Sequence, residues 1–151
     1  MKLIVQPDDG VAPLLTAVKK ARKSVQIAIF RLDRSDIEAA LRAVVSGGVK
    51  VTALVASTNR GGERNLRELE MRLLDAGIIV ARSGAELSRH HGKIMVIDQS
   101  ILHLFSFNYT HLDIEHSRGF GIVTKNAKWV RSLNPVTLER ELIERIAEEE
   151  G

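Results

Sequence analysis

Short, mostly apolar, β-branched segments alternate along the chain with stretches of helical period. Leu3–Val5, Val25–Phe30, Val49–Val55 and Ile78–Ala81 have the pattern of buried strands. Between them, Val11, Leu14, Leu15, Val18 and Ala21 fall on one helical face, with Asp8 and Asp9 just upstream and Pro13 in the first turn. Ile37, Leu41, Val44 and Val45 form a second face. Ser35 and Glu38 read as its capping box and Gly47-Gly48 as its stop. Leu66, Leu69 and Leu73 form a third face, closed by Gly77. This β-α-β-α-β-α-β order predicts parallel strands joined by right-handed crossovers.

The second half changes style. Lys93–Ile97 and Ile101–Phe105 are separated by Asp98-Gln99-Ser100, a hairpin spacing, and Phe120–Thr124 reads as another strand. His111 and His116 fall in an expected loop. Asn134-Pro135 opens a predicted last helix whose stripe is Leu138, Leu142 and Ile146. The expected fold is therefore α/β: a mixed β-sheet, parallel early and antiparallel late, flanked by α-helices. With 151 residues and neither repeat nor linker, residues 1–151 are expected to form a single domain.

Composition narrows the chemistry. The chain has no cysteine, which excludes disulfides and cysteine-ligated metal or iron–sulfur centres. No apolar run approaches the roughly 20 residues of a membrane span, and Gln6, Pro7 and Asp8 arrive too early for a signal peptide. A cytoplasmic protein is the expectation. Twenty-two basic against 19 acidic residues give a net charge of +3. Because Glu148, Glu149 and Glu150 stand at the end, the rest of the chain is more basic than the sum. A basic body favours phosphate-bearing partners.

The informative stretch runs from His91 through Lys93 to Asp98, His-x-Lys-x4-Asp, and it occurs once. Lys93, Met95 and Ile97 should share one strand face, with Asp98 ending the strand. Ser106 and Asn108 end the next one. Paired as a hairpin, the two strands would gather His91, Lys93, Ser106 and Asn108 at one edge of the sheet. That group suits a phosphodiester. An imidazole can attack phosphorus, while an ammonium and an amide hold the non-bridging oxygens. The bland alternative makes His91 a loop histidine and Lys93 a solvated charge. Asp98 reads as structural, pairing with a nearby cation.

Other constellations are weaker. The five histidines include no zincin-type pair, and no carboxylate cluster is set to hold Mg²⁺, so neither metal nor cofactor is expected. The Ser57–Arg64 segment lacks the P-loop lysine and the dinucleotide spacing. Loops at the carboxyl ends of parallel strands nonetheless border the cleft of α/β sheets, which makes Arg60 and Arg64 candidate substrate contacts. Arg31, after the second strand, has a similar claim. Phe107, Tyr109 and Trp129 are too scattered to read as stacking platforms.

The chain resembles the phospholipase D superfamily, whose signature is this His-Lys-Asp motif followed by Gly-Ser-x-Asn. The resemblance spans roughly Met1 to Lys125 and includes the Val25–Leu32 and Gly47–Val51 segments. Two positions depart from the pattern. Phe105 stands where the family usually has glycine. The glutamate that orients the histidine, usually just before the Phe120–Thr124 strand, is absent there, leaving Asp113 and Glu115 as candidates. The resemblance implies two facing motifs. One histidine forms a phosphohistidine; the other protonates the leaving oxygen and then activates water. A chain with one motif needs a second, which a C2 homodimer supplies. The implied function is a metal-independent phosphodiesterase, first of all a nuclease acting on DNA or RNA. The alternatives are the N-terminal half of a two-motif, cardiolipin synthase-like phosphatidyltransferase acting on membrane phospholipid, or a non-catalytic nucleic-acid-binding or dimerisation module.

Overall fold

The computed structural model describes residues 1–56, 66–83 and 91–138, and the backbone of 144–145. Its strands are Lys2–Gln6 (β1), Ser24–Ile29 (β2), Lys50–Val55 (β3), Ile79–Arg82 (β4), Lys93–Ile97 (β5), Ile101–Phe105 (β6), Gly119–Thr124 (β7) and Glu144–Arg145 (β8). Its helices are Ala12–Lys19 (α1), Ser35–Ser46 (α2), Leu66–Asp75 (α3), His111–Glu115 (α4), Ala127–Leu133 (α5) and Pro135–Leu138 (α6). Among the described residues the strands form one mixed sheet in the order β1-β7-β6-β5-β2-β3-β4-β8. The β2-β3-β4 block is parallel and every other pairing is antiparallel.

The alternating pattern builds two cores. On one face Val25, Ile27 and Ile29 of β2 join Met95 and Ile97 of β5 and the buried stripes of α1 (Leu14, Val18) and α2 (Ile37, Leu41, Val44). On the other, Ala28, Ile94, Val96 and Leu102 pack against Val130 of α5. The hairpin turn is tight. Asp98 and Gln99 both have φ +53°, and Ser100 N–H donates to the Ile97 carbonyl at 3.0 Å. Residues 97–100 thus form a β-turn with both central residues at positive φ, inside the three-residue connection between the paired Ile97 and Ile101.

Four expectations need correcting. Although β1 runs in the direction of β2, it lies at the far edge of the sheet, because β5, β6 and β7 insert between them. The Ser35/Glu38 capping box does not form. Asp36 Oδ1 accepts the Ile37 N–H at 2.9 Å, and Glu38 bonds Arg72 of α3 at 3.0 Å instead. The loop expected around His111 contains α4, capped by Thr110 Oγ1 on Asp113 N–H at 3.2 Å. The last helix opens at Pro135 as expected, with Asn134 Oδ1 accepting Val136 N–H at 3.1 Å. Glu144–Arg145, however, is a strand pairing with β4, where an open sheet edge offers unpaired backbone groups. Leu142 and Ile146 lie outside the described residues.

Candidate active site

The parallel strands β2, β3 and β4 end at one side of the sheet. Antiparallel β5 begins there and β6 ends there. This topology delivers His91 and Lys93, at the start of β5, and Ser106 to Asn108, after β6, to the same end. Lys93 is opposite Phe105 in the ladder.

Lys93 is not a solvated charge; only 4% of it is exposed. Its Nζ stands 2.9 Å from Nδ1 and 2.9 Å from Nε2 of His91, so the ammonium is not committed to one ring nitrogen. The same Nζ lies 5.4 Å from the centroid of the Phe30 ring, within cation–π range. Phe30, just beyond β2, also meets His91 edge to face, with centroids 4.6 Å apart and planes at 72°.

Asn108 is fixed through its backbone, whose N–H donates to Asp113 Oδ2 at 2.7 Å. Its side-chain Oδ1 is buried and has no hydrogen-bond partner among the described residues. The next residue, Tyr109, is fully buried. Its N–H donates to the Arg31 carbonyl and its carbonyl accepts from Asp33 N–H, both at 3.1 Å. Its hydroxyl donates to the Ile94 carbonyl at 3.4 Å, and burial pushes the phenol well above its ordinary pKa, keeping it a donor. These bonds stitch the Asn108 segment to the end of β2, beside Phe30. Arg31, the next residue, is exposed. Ser106, also exposed, is anchored to β7: its N–H donates to the Phe120 carbonyl at 2.8 Å, and its Oγ accepts Phe120 N–H at 2.9 Å.

Asp98 lies at the opposite end of β5. At about 3.3 Å per residue, that is roughly 16 Å along the strand from Lys93. The expected cation partner is replaced by backbone. The carboxylate accepts N–H bonds from Arg22 (3.1 Å), Lys23 (2.7 Å) and Ser24 (3.1 Å). Burial opposes its ionisation, but these bonds and the Lys23 charge outweigh that and hold its carboxyl below the usual range.

The two carboxylates considered for orienting His91 have other partners. Glu115 bonds the buried Arg34 at 2.6 Å, and Arg34 also pairs with Asp36 at 2.7 Å. The Arg34 hydrogen bond holds the Glu115 carboxyl below its ordinary range. Asp113 serves the Asn108 backbone. Arg60 and Arg64 lie outside the described residues.

Phe105, the departure from glycine, packs in the core against Phe107 (centroids 4.7 Å) and Tyr109 (6.0 Å). Glycine stands across the sheet instead. A Cβ on Gly121, the register partner of Phe105, would lie 2.7 Å from the Phe105 ring. On Gly119 it would lie 3.1 Å from Phe107. Sequence reading missed Phe30 and treated Phe107 and Tyr109 as scattered. The spacing 105, 107, 109 is the strand period that marks a shared face.

Among the described residues, no cluster of three or more His, Asp or Glu side chains is placed to hold a metal ion, and no helix is long and apolar enough to cross a membrane. The family profile described as "Cardiolipin synthase, PLD-like domain" matches residues 14–136. The chain belongs to this phospholipase D-like family. Nuc from Salmonella typhimurium, a phospholipase D family member, shares the fold with a TM-score of 0.81 at 20% identity, the match covering 95% of each chain. NucT from Helicobacter pylori aligns with a TM-score of 0.78 at 21% identity over 96% of this chain and 98% of its own. Polyphosphate kinase from Porphyromonas gingivalis aligns over 93% of this chain and 25% of its own, with a TM-score of 0.70 at 25% identity. Sequence comparison with curated proteins gave no match.

Proposed function

We propose that the protein is a metal-independent phosphodiesterase, a nuclease acting on DNA or RNA through a phosphohistidine intermediate and active as a homodimer. The observation that carries this reading is the buried Lys93 ammonium, 2.9 Å from both nitrogens of His91, in a domain of the phospholipase D-like family. A neutral His91 nitrogen attacks phosphorus. The P–O bond to the leaving group breaks, and His91 of a second copy gives that oxygen its proton. The second imidazole, now neutral, takes a proton from water. The water oxygen attacks phosphorus, and the first imidazole leaves with the electrons of the P–N bond. Lys93, the Asn108 amide and the Ser106 hydroxyl stabilise the charged non-bridging oxygens. Arg31, Arg60 and Arg64 bind flanking phosphates. Asp98 holds the hairpin rather than touching substrate, and the cytoplasm is the proposed location.

The sheet face beside Ser106 supports the dimer. Leu3 pairs with Ile122 and Val5 with Phe120, so these four side chains share that face. Leu3 is 60% and Phe120 53% exposed. Alternation from the Lys93–Phe105–Gly121 row puts this patch on the sheet face away from Lys93. Contiguous apolar surface of this kind suits a second copy, and the proposed C2 dimer must also bring the two His91 ends of the sheet together. The family description favours a second reading, phosphatidyl transfer between phospholipids. Incubating the full chain in EDTA with plasmid DNA, RNA and phosphatidylglycerol vesicles, alongside its mass by light scattering, decides. Cleaved nucleic acid at dimer mass is expected. Turnover of lipid alone would replace the nuclease reading with the second, and no turnover would overturn both.

A further inference from the structure

We propose that Phe30 is a positioning residue, its ring setting the plane of the His91 imidazole and seating the Lys93 ammonium against it; this rests on the phosphodiesterase reading of the site. Phe30 is 2% exposed, whereas His91 is exposed. The backbone of Phe30 is pinned on both sides: the Ile29 carbonyl accepts Ala56 N–H at 3.2 Å, and the Arg31 carbonyl accepts Tyr109 N–H at 3.1 Å. The ring therefore stands on the rigid part of the sheet and the imidazole leans on it, edge to face at 4.6 Å. Such contacts prefer this geometry because the positive edge of one ring meets the negative face of the other. The same Phe30 ring lies 5.4 Å from Lys93 Nζ, so one side chain constrains both partners of the 2.9 Å contact.

This device differs in kind from a carboxylate. A carboxylate accepting one ring N–H selects a tautomer as well as an orientation. An aromatic contact fixes the ring plane without accepting a ring N–H. The ammonium, a donor only, is equidistant from the two nitrogens and asks just that the one it meets be unprotonated. In a symmetric dimer the same histidine must serve as nucleophile in one copy and as acid in the other. An aromatic ring that does not itself hold the ring proton can orient the imidazole in either role, the ammonium contact belonging to the neutral, nucleophilic ring, while Glu115 and Asp113 are engaged by Arg34 and the Asn108 backbone.

The test compares Phe30→Leu and Phe30→Tyr in the full chain. His91 ring-proton resonances are followed by NMR in histidine-labelled resting protein, and kcat and KM are measured on the nucleic acid the parent cleaves. Phe30→Leu should move the His91 resonances by removing the ring current. It should lower kcat by up to about 10²-fold, the effect of a small misplacement of a reacting group, with KM little changed. Phe30→Tyr, which keeps the ring, should retain the parent's values. If Phe30→Leu fails to fold, Phe30→Met gives the same readouts. Unmoved His91 resonances, or an unchanged kcat in a folded ring-free variant, would overturn the proposal. A parent protein that cleaves no phosphodiester would refute the phosphodiesterase reading and the catalytic part of this one, while the resonances still report the contact.

Discussion

The Asp98 carboxylate accepts the Lys23 backbone N–H at 2.7 Å, joining two turns 75 residues apart in the chain. With the Arg22 and Ser24 bonds, this clips the α1–β2 connection to the β5–β6 hairpin. The third member of the His-Lys-Asp pattern is thus a fastener for the strand that carries the other two. Hydrogen bonds to charged groups contribute about 1.5–3 kcal/mol each, and water recovers part of that at a half-exposed site. Asp98→Ala should therefore cost about 3 kcal/mol in urea unfolding. Asp98→Asn should cost less, and its folded fraction should keep the parent's turnover. A folded Asp98→Asn protein without activity would return Asp98 to the chemistry.

Stability should fall as the solution is made acidic, and His103 should be the first cause. It is 4% exposed, and burial, reinforced by the Lys2 charge, lowers its pKa from 6.5 to about 4. Between these values the unfolded chain binds a proton that the folded chain refuses, so stability declines as pH falls through that window. The loss reaches about 3 kcal/mol. His103→Phe should flatten the urea-unfolding profile there; an unchanged slope would clear His103. Asp98, its carboxyl held low, contributes stability that is present above its unfolded value and is lost as pH falls further, below about 4.

Lys93→Met should fold, because the thioether follows the path of the buried lysine stem. Turnover should fall about 10²–10³-fold, as for loss of one positioned oxyanion donor. Steady-state kinetics and thermal unfolding check both halves. Parental turnover in Lys93→Met would exclude the ammonium from phosphate stabilisation.

Phe120→Glu should place charge on the exposed face shared with Leu3, Val5 and Ile122. The expected outcome is a folded monomer by light scattering with phosphodiesterase activity lost at low protein concentration. Full activity in a monomer would remove the need for a second His91.

The β-α alternation and the hairpin bearing the motif could be read in the sequence because local periodicity and turn residues determine them. The edge position of β1 could not, since a strand's own pattern does not name its neighbour. The capping box is plausible locally but loses to a long-range partner, since Glu38 is taken by Arg72, 34 residues on in α3. Arg34, 81 residues from Glu115, likewise ties the start of α2 to the end of α4. Glu115 suggested itself as the glutamate nearest the Phe120–Thr124 strand, where the resemblance looks for one, and the Arg34 ion pair claims it. Phe30 read as one more apolar residue ending a strand. Its role appears only once Lys93 and His91 are folded against it.

The pairing of Phe105 with Gly121 restricts how this sheet end can change over generations. A glycine at 105 alone leaves a hole in the core beside a residue with no side chain to fill it. Any side chain at 121 alone is driven into the ring, at 2.7 Å. Each single step is costly, and only a joint replacement exchanges one arrangement for the other. While position 105 holds this ring, position 121 has room for glycine alone, whatever substrate the active site binds.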